Sequence, residues 1–526
     1  MTLRFAIRIL AVAPLLVCLK VATPAVAHIH ARAGHAAASR ATPRTTPLVC
    51  RRTAKSARRC RKKPVRRRRP AKTAADPRMA QVVQTTQNLT DALAVMPAQS
   101  FSADRPRSAG VIRVNPAIRY QTMIGFGAAM TDTSAWLLNH ELSPQVRGAT
   151  MSALFSPAGI GLDYVRIPMA ATDYTASPEP YSYDDMPSGQ TDPSMAHFSI
   201  AHDEADDLPA LREMLAVNPH IFTLATPWSA PPWMKENHSF NNEKLAGVVD
   251  PRYYPALAHY FVDFIQRYTA AGVPIDAITP MNEPNSPSGW PGTNLSAADD
   301  ATFLPQDLAP ALNAAGLHPA IFGDDDTELS DAQTLLSGPA APDLHGIAFH
   351  CYDGMTQLTT LHDEHPSVPI LVDECSPGII PYATAEVPID AARNWASGVQ
   401  LWNLALDPQG GPFEGAVSWG CHACTGVITV DEQTGRATFG LNYYQLGQTT
   451  KFVQPGAARI DSTRLVSDGL GVGPGVDNVA FQNPDRSIVL VAYNNAPQAQ
   501  TIAIAYKGGY LSYRMAAGAT DTFIWR

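Results

Sequence analysis

Beyond its first 27 residues the chain has no apolar run of the roughly 18 residues that a membrane-spanning helix needs. That absence excludes a second membrane helix. Cysteine is scarce, with seven in 526 residues, at positions 18, 50, 60, 351, 375, 421 and 424. Zinc would need two further ligands near Cys421-His-Ala-Cys424, and none stands at suitable spacing. In an oxidising compartment Cys421 and Cys424 read most simply as a short-loop disulfide. Cys351 and Cys375 follow two consecutive candidate strands, and either a bond between them or two buried thiols fits the sequence. No metal and no organic cofactor is expected.

Charge is also thin. Charged residues make up 17% of the chain against 45% apolar, globular values that allow a sizeable core. Aromatics and large aliphatics almost vanish over residues 28–78, which hold 17 Lys/Arg and a single acid, Asp76. That composition predicts a disordered basic tail rather than a folded module. The whole chain carries −7, yet its first 78 residues hold twenty Lys/Arg against that one acid, so residues 79–526 carry −26. So acidic a body repels phosphate backbones and anionic lipid. It argues against a nucleic-acid partner and for a neutral, polar substrate. The tail then reads as a linker or as a contact with an anionic cell surface. Ahead of it, Arg4 and Arg8 precede the apolar run Ile9–Leu19, and Ala25-Val26-Ala27 forms a small-residue cleavage pattern. Residues 1–27 thus predict a secretory signal and a secreted or cell-surface-associated product.

What the chain does have is a recurring unit, an apolar strand ending in polar or aromatic residues and followed by a helical stretch. Eight such strands are expected at Met123–Ala129, Leu162–Met169, Ile221–Trp228, Ala277–Glu283, Ala320–Asp324, Gly346–Tyr352, Pro369–Glu374 and Gly398–Leu404. Pro255–Ala270 between them has apolar residues at helical spacing, and Pro305–Ala315 is a shorter case. Eight alternating units predict an α/β fold, a (β/α)8 TIM barrel with loop insertions. After about residue 445 the pattern changes to short, alternating runs such as Ile488–Tyr493 and Thr522–Trp525, separated by turn residues. That predicts an additional antiparallel β domain, to which Ala109–Val114 can add a strand.

Two of the barrel strands end in a glutamate, in Met281-Asn-Glu-Pro284 and Val372-Asp-Glu-Cys375. Pro284 stops the first strand from continuing in a ladder. Carboxylates at the C-terminal ends of barrel strands sit where such barrels carry chemistry. A pair of them suits a retaining glycosidase, with one as acid and the other as nucleophile. A lone strand-end glutamate is often only a salt-bridge partner, so the pair carries the reading.

These stretches resemble glycoside hydrolase family 30, in its acid β-glucosidase, glucosylceramidase-like branch. The resemblance rests on Gly125-Phe-Gly-Ala-Ala-Met-Thr-Asp132, Tyr164-Val-Arg-Ile-Pro-Met169, Thr226-Pro-Trp-Ser-Ala-Pro-Pro-Trp233, Met281-Asn-Glu-Pro284, Asp373-Glu-Cys375 and Trp402-Asn-Leu-Ala-Leu406 with Gly410-Gly-Pro412. It covers residues 105–526. It implies a catalytic barrel with a β-sandwich assembled from both chain ends. The expected organisation is a signal at 1–27, a tail at 28–78, a lead-in with a sandwich strand at 79–119, a barrel at 120–445 and a sandwich at 446–526.

By the resemblance Glu283 is the general acid/base and Glu374 the nucleophile of a secreted enzyme that cleaves β-glucosidic bonds with retention. Asn282 is placed to bond the sugar 2-hydroxyl. Asp132, Trp228 and Trp402 match sugar-site residues, although ordinary core packing also suits each Trp. Arg166 orients a catalytic carboxylate or forms a structural ion pair, two compatible readings. His350 and Tyr352 end a strand beside the nucleophile and either tune it or are structural. Glucosylceramidases of the branch carry an aromatic between the residues matching His350 and Tyr352, where this chain has Cys351. That departure weighs against a lipid aglycone and for extracellular β-glucans, β-1,6-linked ones among them. The substrate is therefore a carbohydrate or glycoconjugate. The alternatives are a β-xyloside or β-fucoside as substrate, and a carbohydrate-binding barrel without catalysis.

Overall fold

The computed structural model describes residues 78–106, 109–177, 179–412, 421, 423–465 and 475–526. The expected signal and nearly all of the basic tail lie outside these residues. Among them no helix is long and apolar enough to cross a membrane.

Three strands precede the barrel: β1 (Met79–Thr85), β2 (Ala94–Ser100) and β3 (Gly110–Thr122). The barrel strands are β4 (Gly125–Ala128), β5 (Tyr164–Met169), β6 (Phe222–Pro227), β7 (Ala277–Ile278), β8 (Ala320–Asp326), β9 (Gly346–His350), β10 (Ile370–Glu374) and β11 (Ala396–Leu401). They close in the order β10-β11-β4-β5-β6-β7-β8-β9, and every pairing is parallel. All eight expected strands are therefore present in one closed ring. Strands β5, β9, β10 and β11 are buried along their whole length. That matches their continuous apolar runs, since helices cover the outside of a parallel barrel. The helix Tyr254–Ala270 turns ten side chains inward, among them Leu257, Phe261, Phe264 and Tyr268. Gly127 shows why the Gly-Phe-Gly motif is glycine-rich. A Cβ there would lie 1.6 Å from the Tyr164 carbonyl oxygen, so only glycine lets β4 approach β5.

One expected strand is cut short. Ala277–Glu283 reads as a strand in sequence, but β7 stops at Ile278. Pro280 and Pro284 lack the N–H that a ladder needs, and Glu283 takes a left-handed φ of 42°. Single backbone bonds replace the ladder, from Asn282 N to Pro227 O (2.9 Å) and from Glu283 N to Asp325 O (3.0 Å).

After the barrel, β12 (Ala405–Leu406), β13 (Ile428–Asp431) and β14 (Arg436–Phe439) form a small sheet of their own. The helix Leu441–Thr450 follows, and it runs across the boundary expected at residue 445. The remaining strands are β15 (Ala458–Ser462), β16 (Val476–Gln482), β17 (Ile488–Asn494), β18 (Gln500–Tyr506), β19 (Gly509–Met515) and β20 (Thr520–Trp525).

With β1–β3 they form one sheet in the order β19-β18-β3-β15-β16-β17-β20-β1-β2. Strand β3 turns the corner, since Gly110–Arg113 pairs with β18 and Val114–Thr122 with β15. The sheet folds back on itself, because strands far apart in that order touch. Tyr506 of β18 meets Trp525 of β20 with ring centroids 5.4 Å apart, and Tyr513 of β19 meets Phe523 at 5.2 Å. The result is a sandwich built from both chain ends. Its pairing differs from expectation at one edge, where β3 and β18 run parallel.

Candidate active site

The C-terminal ends of the barrel strands surround a cavity of about 360 Å³. Glu283, Glu374, Asn282 and Tyr352 line it together with Trp228 and Trp402. An oxygen of Glu283, a nitrogen of His350 and an oxygen of Glu374 all lie within 4.8 Å of one another. The two strand-end glutamates therefore face each other across one small space.

Glu374, the last residue of β10, is held at both oxygens. Arg166 Nη1 donates to Oε2 at 2.7 Å and the Tyr352 hydroxyl donates to Oε1 at 2.7 Å. Arg166 is wholly buried and also reaches Asn282 Oδ1 (2.8 Å) and Asp325 Oδ1 (2.6 Å) from Nη2. Burial acts against its charge, but Asp325, Asp373 and Glu374 outweigh burial and hold the guanidinium protonated. Because Asn282 spends its oxygen on Arg166, its amide N–H groups are left to donate into the cavity.

Glu283 is the more open of the two, its side chain 17% exposed against 7% for Glu374. His350, the last residue of β9, lies with Nδ1 3.0 Å from Glu283 Oε1 and Nε2 2.9 Å from Asp325 Oδ1. Burial would strip the imidazole of its proton, but Glu374, Asp325 and Glu283 raise its pKa well above the usual value. Asp325 shows the converse. Burial opposes its charge, and Arg166 and His350 overcome this and hold its carboxyl well below the usual range. Tyr352 is pushed well up by burial and then by the Glu374 charge, so its hydroxyl stays a donor.

Backbone strain gathers at this rim. Ala170, Glu283, Asp324, Asp325 and Asn403 all have φ between 42° and 74°. Each lies at or just past the end of a barrel strand, and left-handed non-glycine residues concentrate at functional sites.

Trp228 and Trp402 stack on each other with ring centroids 5.0 Å apart and 20° between planes. The Arg166 guanidinium lies 4.6 Å from the Trp228 ring centre. Both indoles are at most 3% exposed, so they serve as cavity wall and core at once. Asp132 departs from expectation. It is not among the cavity's lining residues. Its oxygens are taken by Ala176 N (2.7 Å) and by His202 Nε2 (3.2 Å). The carboxylate thereby braces the loop after β5.

That loop contributes a lining residue that sequence reasoning missed, Asp173. Burial, then the charges of Glu374 and Glu283, push its carboxyl well up. Its signal in sequence is a polar residue soon after the Met169 strand end. Asp325 and Asp326 were missed as well, although three consecutive aspartates at a strand end mark the place. Asp326 is pushed up to about 7 by burial and by Glu283. Trp290 and Ile379 also line the cavity, and neither stands in a motif. Cys421 and Cys424 form a disulfide in its wall, and Cys351 and Cys375 form a second one beside Glu374.

Comparison with known proteins agrees with this geometry. Residues 123–453 match the glycosyl hydrolase family 30 TIM-barrel domain, and residues 456–523 match the family's beta sandwich domain. An endo-1,6-beta-D-glucanase of Neurospora crassa is 34% identical over 395 residues, covering 72% of this chain and 80% of the relative. The lysosomal acid glucosylceramidase of Mus musculus is 28% identical over 458 residues, covering 81% and 85%. A solved endo-beta1,6-glucanase superposes with a TM-score of 0.74 at 28% identity, covering 85% of this chain and 99% of the other. The barrel, the sandwich and both family matches lead to one conclusion: the chain belongs to glycoside hydrolase family 30 and is a glycoside hydrolase.

Proposed function

We propose that the protein is an exported, retaining β-glucosidic hydrolase that acts on β-1,6-linked glucan by double displacement. The observation that carries this reading is the pair Glu283 and Glu374, with oxygens within 4.8 Å across one cavity. Retaining enzymes need carboxyls about 5–5.5 Å apart, whereas inverting ones leave room for a water at roughly 6.5–9.5 Å.

Glu374 attacks the anomeric carbon. Arg166 and Tyr352 aim it, each holding one oxygen. Glu283 gives its proton to the leaving glycosidic oxygen, and a β-linked sugar becomes an α-linked glycosyl ester of Glu374. Glu283 then takes a proton from water, which attacks the same carbon and restores the β configuration. His350 holds one oxygen of Glu283 and leaves the other for the substrate. Asn282 donates to the 2-hydroxyl, a contact that strengthens as the anomeric carbon gains positive charge.

The substrate reading rests on the 34% identity to endo-1,6-beta-D-glucanases against 28–29% to glucosylceramidases. The acidic body favours a neutral polymer over an anionic lipid surface. Two disulfides support an oxidising, extracellular setting.

A substrate panel tests the reading: β-1,6-glucan, β-1,3-glucan, glucosylceramide and the 4-nitrophenyl β-glucoside, β-xyloside and β-fucoside. The expected result is fastest cleavage of β-1,6-glucan, with the β-anomer as first product by proton NMR. An α-anomer as first product excludes double displacement. Binding without any cleavage converts the protein into a carbohydrate-binding barrel.

A further inference from the structure

The disulfide Cys351–Cys375 lies one residue beyond two groups of the site. Its halves directly follow His350, the end of β9, and Glu374, the end of β10, which are ladder partners. The ladder is irregular just there. The register shifts between Val372 and Glu374, so Asp373 has no partner on β9. Past the shift the strands stop, and Tyr352 sits in a turn that no ladder holds.

Hydrogen bonds converge on the disulfide, among them Gly354 N to the Cys351 carbonyl at 3.1 Å. Cys351 N donates to the Glu374 carbonyl at 3.1 Å and Trp402 N to the Cys375 carbonyl at 2.9 Å. The Tyr382 hydroxyl donates to the Cys351 carbonyl at 2.8 Å. Both cysteines are wholly buried. A ring results. At one side Cys351 is tied covalently to Cys375; at the other the Tyr352 hydroxyl is tied to the Glu374 carboxylate. Each tied residue is the chain neighbour of its counterpart.

We propose that Cys351–Cys375 is a positioning disulfide, which holds the Tyr352 turn against Glu374 so that the hydroxyl secures one carboxylate oxygen while Arg166 secures the other. The inference rests on the reading of Glu374 as nucleophile. Arg166 reaches Glu374 from β5 and does not depend on the disulfide. The disulfide is the covalent restraint on the turn that carries Tyr352, beside the Cys351 hydrogen bonds to Glu374, Tyr382 and Gly354 and the packing of the Tyr352 ring. Loss of the bond loosens the turn, the hydroxyl leaves, and Glu374 loses one of the two donors that aim it. The loss therefore falls on kcat more than on KM.

The experiment compares the wild type with Cys351→Ala/Cys375→Ala, Cys351→Val/Cys375→Ala, Tyr352→Phe and the combined triple variant, using 4-nitrophenyl β-glucoside and β-1,6-glucan. In folded pair variants kcat should fall about tenfold or more with KM changed less than about threefold. Adding Tyr352→Phe to a pair variant should cost little more, because both changes remove one contact. A crystal structure of the pair variant should show the Tyr352 hydroxyl away from Glu374, a readout independent of activity. Unchanged kcat in a folded pair variant overturns the proposal, as do additive losses or a retained Tyr352–Glu374 contact. If neither pair variant folds, the bond is needed for folding itself and the positioning role falls. If the wild type cleaves neither substrate, the two-glutamate reading has failed, and the crystallographic comparison still judges the bond.

Discussion

The barrel mouth and the sandwich interior are buried to the same degree and filled with opposite things. The mouth packs Arg166 and His350 among Asp325, Asp373 and Glu374, all at most 5% exposed. The sandwich interior packs Ile112, Leu490, Ile504, Leu511, Phe523 and Trp525, none above 3%. Apolar burial contributes roughly 1.5–3 kcal/mol per large side chain. Buried ion pairs seldom do better than break even against desolvation. One region thus stabilises the molecule, and the other holds charges in an arrangement that helps chemistry more than folding.

The largest expected effect tests the mouth. Glu374→Gln should lower kcat about 10⁴-fold or more while leaving the melting temperature within a few degrees of wild type. Glu283→Gln should spare activated aryl glucosides in the first step and slow the second, so that a glycosyl-enzyme accumulates and is visible by mass spectrometry. Azide should then give a β-glucosyl azide with Glu283→Gln and an α-glucosyl azide with Glu374→Gly. Exchanged configurations would mean that the two roles are reversed.

The converse test removes apolar mass from the sandwich. Phe523 is wholly buried, with Tyr513 edge-on at 5.2 Å. Phe523→Ala should cost about 3–5 kcal/mol in chemical denaturation and leave kcat per folded molecule near wild type. A matching loss of kcat would show that the two regions are coupled and that the division of roles is wrong.

The smallest effect concerns the sandwich's own buried charge. Burial pushes Asp521 up to about 7, although Gln84 and Tyr513 favour its ionised form. A carboxyl with a folded pKa above its unfolded value near 3.9 binds more protons folded than unfolded. Stability attributable to it is therefore full below about pH 4 and declines as pH rises towards 7. Asp521→Asn stays neutral, so its stability relative to wild type should improve by about 3 kcal/mol between pH 4 and 7. A difference independent of pH would show that Asp521 is ionised throughout that range.

The same contrast explains what was legible in the sequence. Barrel strands buried on both faces are continuous apolar runs, and all eight could be read. So could β16–β20, which alternate or are β-branched. β2 (AVMPAQS) has a proline and mostly exposed or half-exposed residues, so nothing in its pattern announces a strand. β15 (ARIDS) is five residues long with two charges. Both are strands because neighbours pair with them, which is tertiary information. In the site, Glu283, Glu374, Asn282 and Arg166 stand in motifs at strand ends and were legible. Asp173 comes from a loop without periodicity, and only the folded loop brings it to the cavity. Asp132 shows the reverse, since it stands in a motif yet spends its carboxylate on Ala176 and His202.

The position of β1 between β20 and β2 has a consequence for the timing of folding. Gln84 bonds Asp521 across 437 residues of sequence. At about 5–20 residues per second, synthesis separates the two by roughly 20–90 s. During that time β1 has only β2 to pair with, and an isolated hairpin is marginal in water. The sandwich therefore cannot close before Thr520–Trp525 exists, and the β1 edge waits open until then.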